Sequence, residues 1–195
     1  MSLGAAQYAL RQRQGAGARY DAAGAPHDDL LLVRRGTAYC ARNLNALSDD
    51  ALAEPSPRQG LSQGALVVGL CLEARSLAHH LQWARTGLAP EEDAILGYAP
   101  ADLELGSTLP PRAIRTLFDH SCVHLDVEWR DLSDADWTKY LPGDPGRRVA
   151  ETPGQRARSI WIAGFQLAAR PRLADVPERL REAVTLARGG QSITP

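Results

Sequence analysis

Two histidines four residues apart, His120 and His124, are among the residues whose spacing suggests chemistry. Side chains at i and i+4 share one face of a helix, and taken alone a His-x-x-x-His pair is half of a zinc site. His79 and His80 are adjacent, face different directions on a helix, and are expected at the surface or near a helix C-terminus, where the dipole favours a cation. Glu73 follows an apolar run, Ala65-Leu-Val-Val-Gly-Leu-Cys-Leu72, and is a candidate acid/base that shuttles a proton. The competing reading pairs Glu73 with an arginine such as Arg156 or Arg158. Ser159 offers a polar contact to a ligand, but no His/Asp partner is evident that would make it a nucleophile. Arg85 can hold an anionic group or serve a helix C-terminus. Cys40, Cys71 and Cys122 are scattered and odd in number, which reads as reduced thiols; Cys71 is expected to be an inert core thiol.

These side chains need a scaffold. The 195 residues are 44% apolar, enough for one domain with a real core. Only 6% is aromatic, and Ala, Leu and Arg dominate, which is helix-forming chemistry. A formal net charge of −1 gives no electrostatic case for nucleic acid or an anionic membrane. No apolar run approaches the roughly 18 residues of a spanning helix. Met1 to Pro26 lacks the apolar stretch of a secretory leader. A cytoplasmic chain is expected.

The pattern predicts a loose arm over 1–26, with a short helix at Gln7–Arg13 weakened by Gly15, Gly17 and Gly24. Helices are predicted over Asp28–Leu47, with acidic residues in its first turn, and Leu61–Thr86, with Ser62 as cap and Gly87 as stop. Residues 88–109 read as a connection. A third helix begins at Pro110-Pro111 and runs to Asp131; a fourth begins at Thr152-Pro153 and ends near Ala169. Between them, 133–150 carries turn signals and room for a short hairpin. A last helix is predicted over Asp175–Arg188, stopped by Gly189-Gly190. The sum is all-α: a four-helix bundle spanning 27–188 with an extra C-terminal helix, then a tail over 189–195.

Several stretches resemble the maleylpyruvate isomerase family, within the larger group of DinB-like up-and-down four-helix bundles. They are Arg34-Arg-Gly-Thr-Ala-Tyr39, Trp83-Ala-Arg-Thr-Gly87, Glu104-Leu-Gly-Ser-Thr-Leu-Pro110, Leu117-Phe-Asp-His-Ser-Cys-Val-His-Leu-Asp126, Glu151-Thr-Pro-Gly-Gln-Arg-Ala-Arg158 and Ala174-Asp-Val-Pro177. The resemblance covers about residues 19–187. It implies isomerisation of maleylpyruvate to fumarylpyruvate with a low-molecular-weight thiol and a divalent metal, a Lewis acid able to stabilise a thiolate or an enolate oxygen.

The resemblance also implies where metal ligands should lie, and there this chain departs. A histidine ligand position on the second helix is Gly69; a glutamate and a histidine on the fourth are Ser159 and Ala163. A family aspartate is Gln166, and a Pro-Met-Tyr stretch is replaced by Glu91-Glu-Asp93. His120 and His124 occur in the family beside its separate triad, so a structural role, bonded to Asp119 or Asp126, is the better expectation for them. Three ligands replaced by small residues would leave a void, filled by neighbours such as Phe165 and Leu72, by water, or by a ligand.

The expectation is therefore a divergent enzyme performing metal-independent isomerisation or proton transfer in a pocket between the second and fourth helices. Glu73 would be the acid/base, with Gly69, Ser159, Ala163, Gln166 and Arg85 around the substrate. No metal and no cofactor are expected; glutathione or mycothiol enters by the resemblance only. The alternative is a non-catalytic small-molecule-binding protein or partner subunit. A homodimer is expected by analogy alone.

Overall fold

The computed structural model describes residues 20–56, 61–90 and 100–189. The expected helix at Gln7–Arg13, the Glu91–Asp93 stretch and the tail beyond 189 lie outside them. Four long helices form the bundle: α1 (His27–Ala46), α2 (Gln63–Thr86), α4 (Pro111–Asp131) and α6 (Thr152–Leu167). Shorter elements are α3 (Pro100–Ser107), α5 (Asp134–Trp137), a hairpin of β1 (Tyr140–Leu141) and β2 (Asp144–Arg148), and a final helix α7 (Glu178–Gly189).

Local chemistry accounts for the ends. The Ser62 hydroxyl accepts the Ala65 N–H at 3.0 Å, a serine N-cap. Gly87 stops α2 at φ 74°, a left-handed conformation that glycine adopts without steric cost. Pro111 occupies the first turn of α4 and Pro153 that of α6, where a missing N–H is harmless. Ser133 and Asp136 form a reciprocal capping box that starts α5. The connection expected over 88–109 differs: it contains α3, begun by Pro100 with Asp102 in its first turn.

The helices pack most closely as two pairs, α1 along α6 and α2 along α4. Within the first pair the backbones nearly touch. A Cβ at Gly36 would lie 2.7 Å from Ile160 Cγ2, and one at Gly164 only 3.1 Å from the Cys40 Cα, so both positions need a residue with no side chain. Tyr39 stacks on Trp161 at 4.9 Å, and the Trp161 indole donates to the Leu32 carbonyl at 3.0 Å.

Between the pairs, side-chain polar contacts bridge the helices. Arg34 joins Asp126 at 2.7 Å across α1 and α4, the Trp129 indole donates to the Thr152 hydroxyl at 3.0 Å across α4 and α6, and Arg156 reaches Glu73 at 3.1 Å across α6 and α2. Buried Leu30, Val33, Leu44, Val67, Leu81, Phe118, Leu125 and Ile160 contribute to the apolar core.

One end is closed by α5 and the hairpin. Lys139 donates to the Ala84 carbonyl at 2.7 Å, and Gly143, at φ 82°, turns the chain against the His80 ring. His80 is therefore buried, not at the surface as expected; its Nδ1 is 2.8 Å from the Ser76 carbonyl oxygen. The last helix, α7, lies against α6.

Candidate functional site

Arg156 organises the polar centre. It sits one turn into α6, after a buried Thr152 whose hydroxyl donates to the Val149 carbonyl at 2.8 Å. Only 1% of Arg156 is exposed. Its Nη1 donates to Glu73 Oε2 at 3.1 Å, while Nη2 is buried with no hydrogen-bond partner among the described residues. A buried guanidinium with an unused donor is costly, and the donor suits an anion, a carbonyl or water.

Beside it lies Cys122. Burial pushes this thiol above its ordinary pKa, and the neighbouring Arg156 charge offsets part of the shift. A small cavity of about 190 Å³ between α1 and α4 is lined by Thr37, Cys122 and Arg156, among others. Cys40 and Cys71 are buried, and burial raises both thiols, Cys71 to about 12; they are inert core groups as expected of Cys71.

Glu73 is thus engaged with Arg156, which is the competing reading of the sequence; Arg158 is exposed and plays no part in the pair. Gly69, one turn earlier on α2, is half-buried, and a Cβ placed there would meet only Leu103 Cδ1, at 3.8 Å. Leu103 belongs to α3, the element that sequence patterning did not reveal. Pro100 and Asp102 were its available signals, since proline and acidic residues favour a first helical turn.

Ser159 is half-buried, and its hydroxyl points back to the Gln155 carbonyl at 3.5 Å, the limit of a bond. Ala163 is buried at 2% and Gln166 half-buried. Ser159, Ala163 and Gln166 follow Arg156 at helical spacing along one face of α6. Arg85 lies elsewhere: it pairs with the buried Glu128 carboxylate at 3.1 Å near the end of the α2–α4 pair. Glu73 thus meets Arg156 on α6, and Arg85 meets Glu128 apart from it.

His120 and His124 are exposed. The expected bonding to Asp126 is not found, because Asp126 is taken by Arg34 and Arg130. His124 instead approaches Glu128 at 3.7 Å and His79 edge-on, with ring centroids 6.3 Å apart. Burial and the neighbouring His124 hold His79 below the ordinary histidine value.

A divalent metal finds few donors at these positions. Gly69, Ser159 and Ala163 supply no imidazole or carboxylate, and no three His, Cys, Asp or Glu side chains converge among the described residues. Those residues do not fit a three-ligand site. No helix among them is long and apolar enough to cross a membrane.

Together these features define a DinB-like helical-bundle protein with a buried, arginine-centred polar site. The chain belongs to the family described as the mycothiol maleylpyruvate isomerase N-terminal domain, whose family model matches residues 33–168. Two solved structures are similar to it, the mycothiol-dependent maleylpyruvate isomerase and a histidine-to-alanine mutant of that enzyme. Each shares 29% identity at a TM-score of 0.70, over 79% of this chain and 65% of that one. This chain therefore matches less than two thirds of the length of those relatives. No curated protein matches it. The family finding corrects one expectation: that no cofactor would be needed does not hold for a family whose named activity is mycothiol-dependent.

Proposed function

We propose that this chain is a thiol-dependent, maleylpyruvate isomerase-like enzyme acting on a small unsaturated organic acid. The observation that carries the reading is the buried Arg156 guanidinium, with Nη1 on Glu73 and Nη2 without a hydrogen-bond partner among the described residues. That donor fits an anionic sulfur or a substrate carboxylate. When bound, a thiol supplies a nucleophile that can add reversibly across a conjugated double bond, so that the former double bond can rotate.

The chain's own part is binding and orientation. Arg156 Nη2 donates to the anionic group, where a preorganised donor is worth most because water is excluded. Glu73 holds the guanidinium in place across the gap between α2 and α6. In this reading the small residues Gly69, Ser159 and Ala163 line the same walls, with Gln166 further along α6. Gly69, Ser159 and Ala163 offer no metal ligand, so the proposed chemistry uses none. A cytoplasmic setting, with its reduced thiols, suits both the free cysteines and the thiol partner.

The alternative is a binding protein that holds a thiol or an acid without turning it over; the loss of donor side chains at Gly69, Ser159 and Ala163 favours it. The test is isomerisation of maleylpyruvate with mycothiol, with and without a chelator, alongside metal analysis. Turnover that needs the thiol, survives chelation and falls about 100-fold or more in Arg156→Met is expected, on the scale of losing one preorganised donor. Calorimetric binding of mycothiol without turnover would support the binding protein instead. Activity abolished by chelation would overturn the metal-free mechanism.

A further inference from the structure

Outside the bundle centre, a cavity of about 790 Å³ runs along the outer side of α4. Arg112, Thr116, His120 and His124 recur every four residues and form one wall. Ala113, Leu117 and Ser121 form the parallel stripe beside it, Leu109 and Pro110 the near end, and Arg75 reaches in from α2. The volume is in the range of small-molecule sites.

The charge of this cavity is one-sided. Among the described residues no carboxylate lines it, and neither Arg75 nor Arg112, both exposed, has an ion-pair partner. The other cavities are different. The one between α1 and α4 includes the Asp126 carboxylate, which pairs with Arg34, and the one at the ends of α1 and α6 includes Asp175, which pairs with Arg172 beside Arg42 and Arg170. Further along the α4 stripe, Glu128 is occupied by Arg85. Two unmatched guanidinium groups over an apolar floor ask for a ligand with an apolar body and an anionic end.

We infer that the α2–α4 groove binds an amphipathic anion, an apolar chain or ring ending in a carboxylate. The carboxylate would meet the Arg75 guanidinium, and the apolar part would run along Leu117 and Ala113 toward Leu109. This site is separate from the Arg156 centre and does not depend on the isomerase reading.

Decanoate is a suitable probe, titrated by calorimetry and by amide chemical shifts at moderate salt. Saturable one-to-one binding is expected, with the largest shifts at residues 112–124 and with clearly weaker binding of decanol. Arg75→Glu/Arg112→Glu is expected to weaken binding at least tenfold. Thr116→Trp, an exposed position, is expected to abolish binding by filling the groove and keeps the test valid should the charge reversal disturb folding. Equal affinity for decanol and decanoate, unchanged binding in Thr116→Trp, or shifts centred on α1 and α6 would each overturn the inference.

Discussion

Removing the Glu73 carboxylate isolates the energetics of the polar centre. In Glu73→Ala the Arg156 guanidinium, 1% exposed, loses the partner 3.1 Å from its Nη1, and its Nη2 has no other among the described residues. Truncating one member of a fully buried pair costs about 3–5 kcal/mol. The Glu73 side chain is 35% exposed, so water screens part of the interaction and enters where the carboxylate was. A loss of roughly 1–2 kcal/mol follows after that discount. For a chain of this size that lowers Tm by about 2–8 °C. Arg156→Met removes the buried charge itself, so Glu73→Ala made in that background should cost less than about 0.5 kcal/mol. The assay is urea unfolding of the four proteins of this cycle, followed by circular dichroism at constant m-value. Equal costs of Glu73→Ala in both backgrounds would refute the reasoning, because Arg156 would then be solvated and the pair without consequence.

Other outcomes follow from the same contacts. Gly69→Ala should stabilise the protein by about 0.5–1 kcal/mol, since its Cβ has ordinary contact distance to Leu103 and helix propensity improves. Gly106→Ala should destabilise by about 1–3 kcal/mol, because its Cβ would sit 2.5 Å from Cγ1 of the stiff, buried Val68; thermal melts compare the two. His79 has a depressed pKa in the folded state through burial, then His124, Arg75 and His80, with Glu128 acting the other way. Its contribution to stability is present above the ordinary histidine value of about 6.5 and is lost as pH falls through its folded pKa. His79→Gln should therefore flatten the decline in unfolding free energy on acidification, and an unchanged slope would count against it. Iodoacetamide labelling followed by mass spectrometry should modify Cys122 first and slowly, and Cys40 and Cys71 only on unfolding.

Much of the scaffold was legible because its signals are local. The Ser62 cap, the Gly87 stop and the proline starts of α4 and α6 act within one turn of where they stand, and each does in the structure what its chemistry predicts. The helix α3 was hidden among residues 88–109 because an eight-residue helix offers too little periodicity to stand out, and its stability comes from packing on α2 through Leu103 and Gly106. At the candidate site, the grouping of Ser159, Ala163 and Gln166 on one face was readable from helical spacing. The location of Arg85 was not, since its partner Glu128 lies 43 residues away.

By itself, then, the sequence determined the helical class, most element ends, the family resemblance and the absence of donor side chains at Gly69, Ser159 and Ala163. Those are properties of residue type and near-neighbour spacing. Only the tertiary structure paired Glu73 with Arg156, 83 residues away. It alone set Leu103 against Gly69 and buried His80 under the hairpin. Partner choice among several arginines is settled by which helices pack side by side, and that depends on burial across the whole bundle, not on any one segment of it.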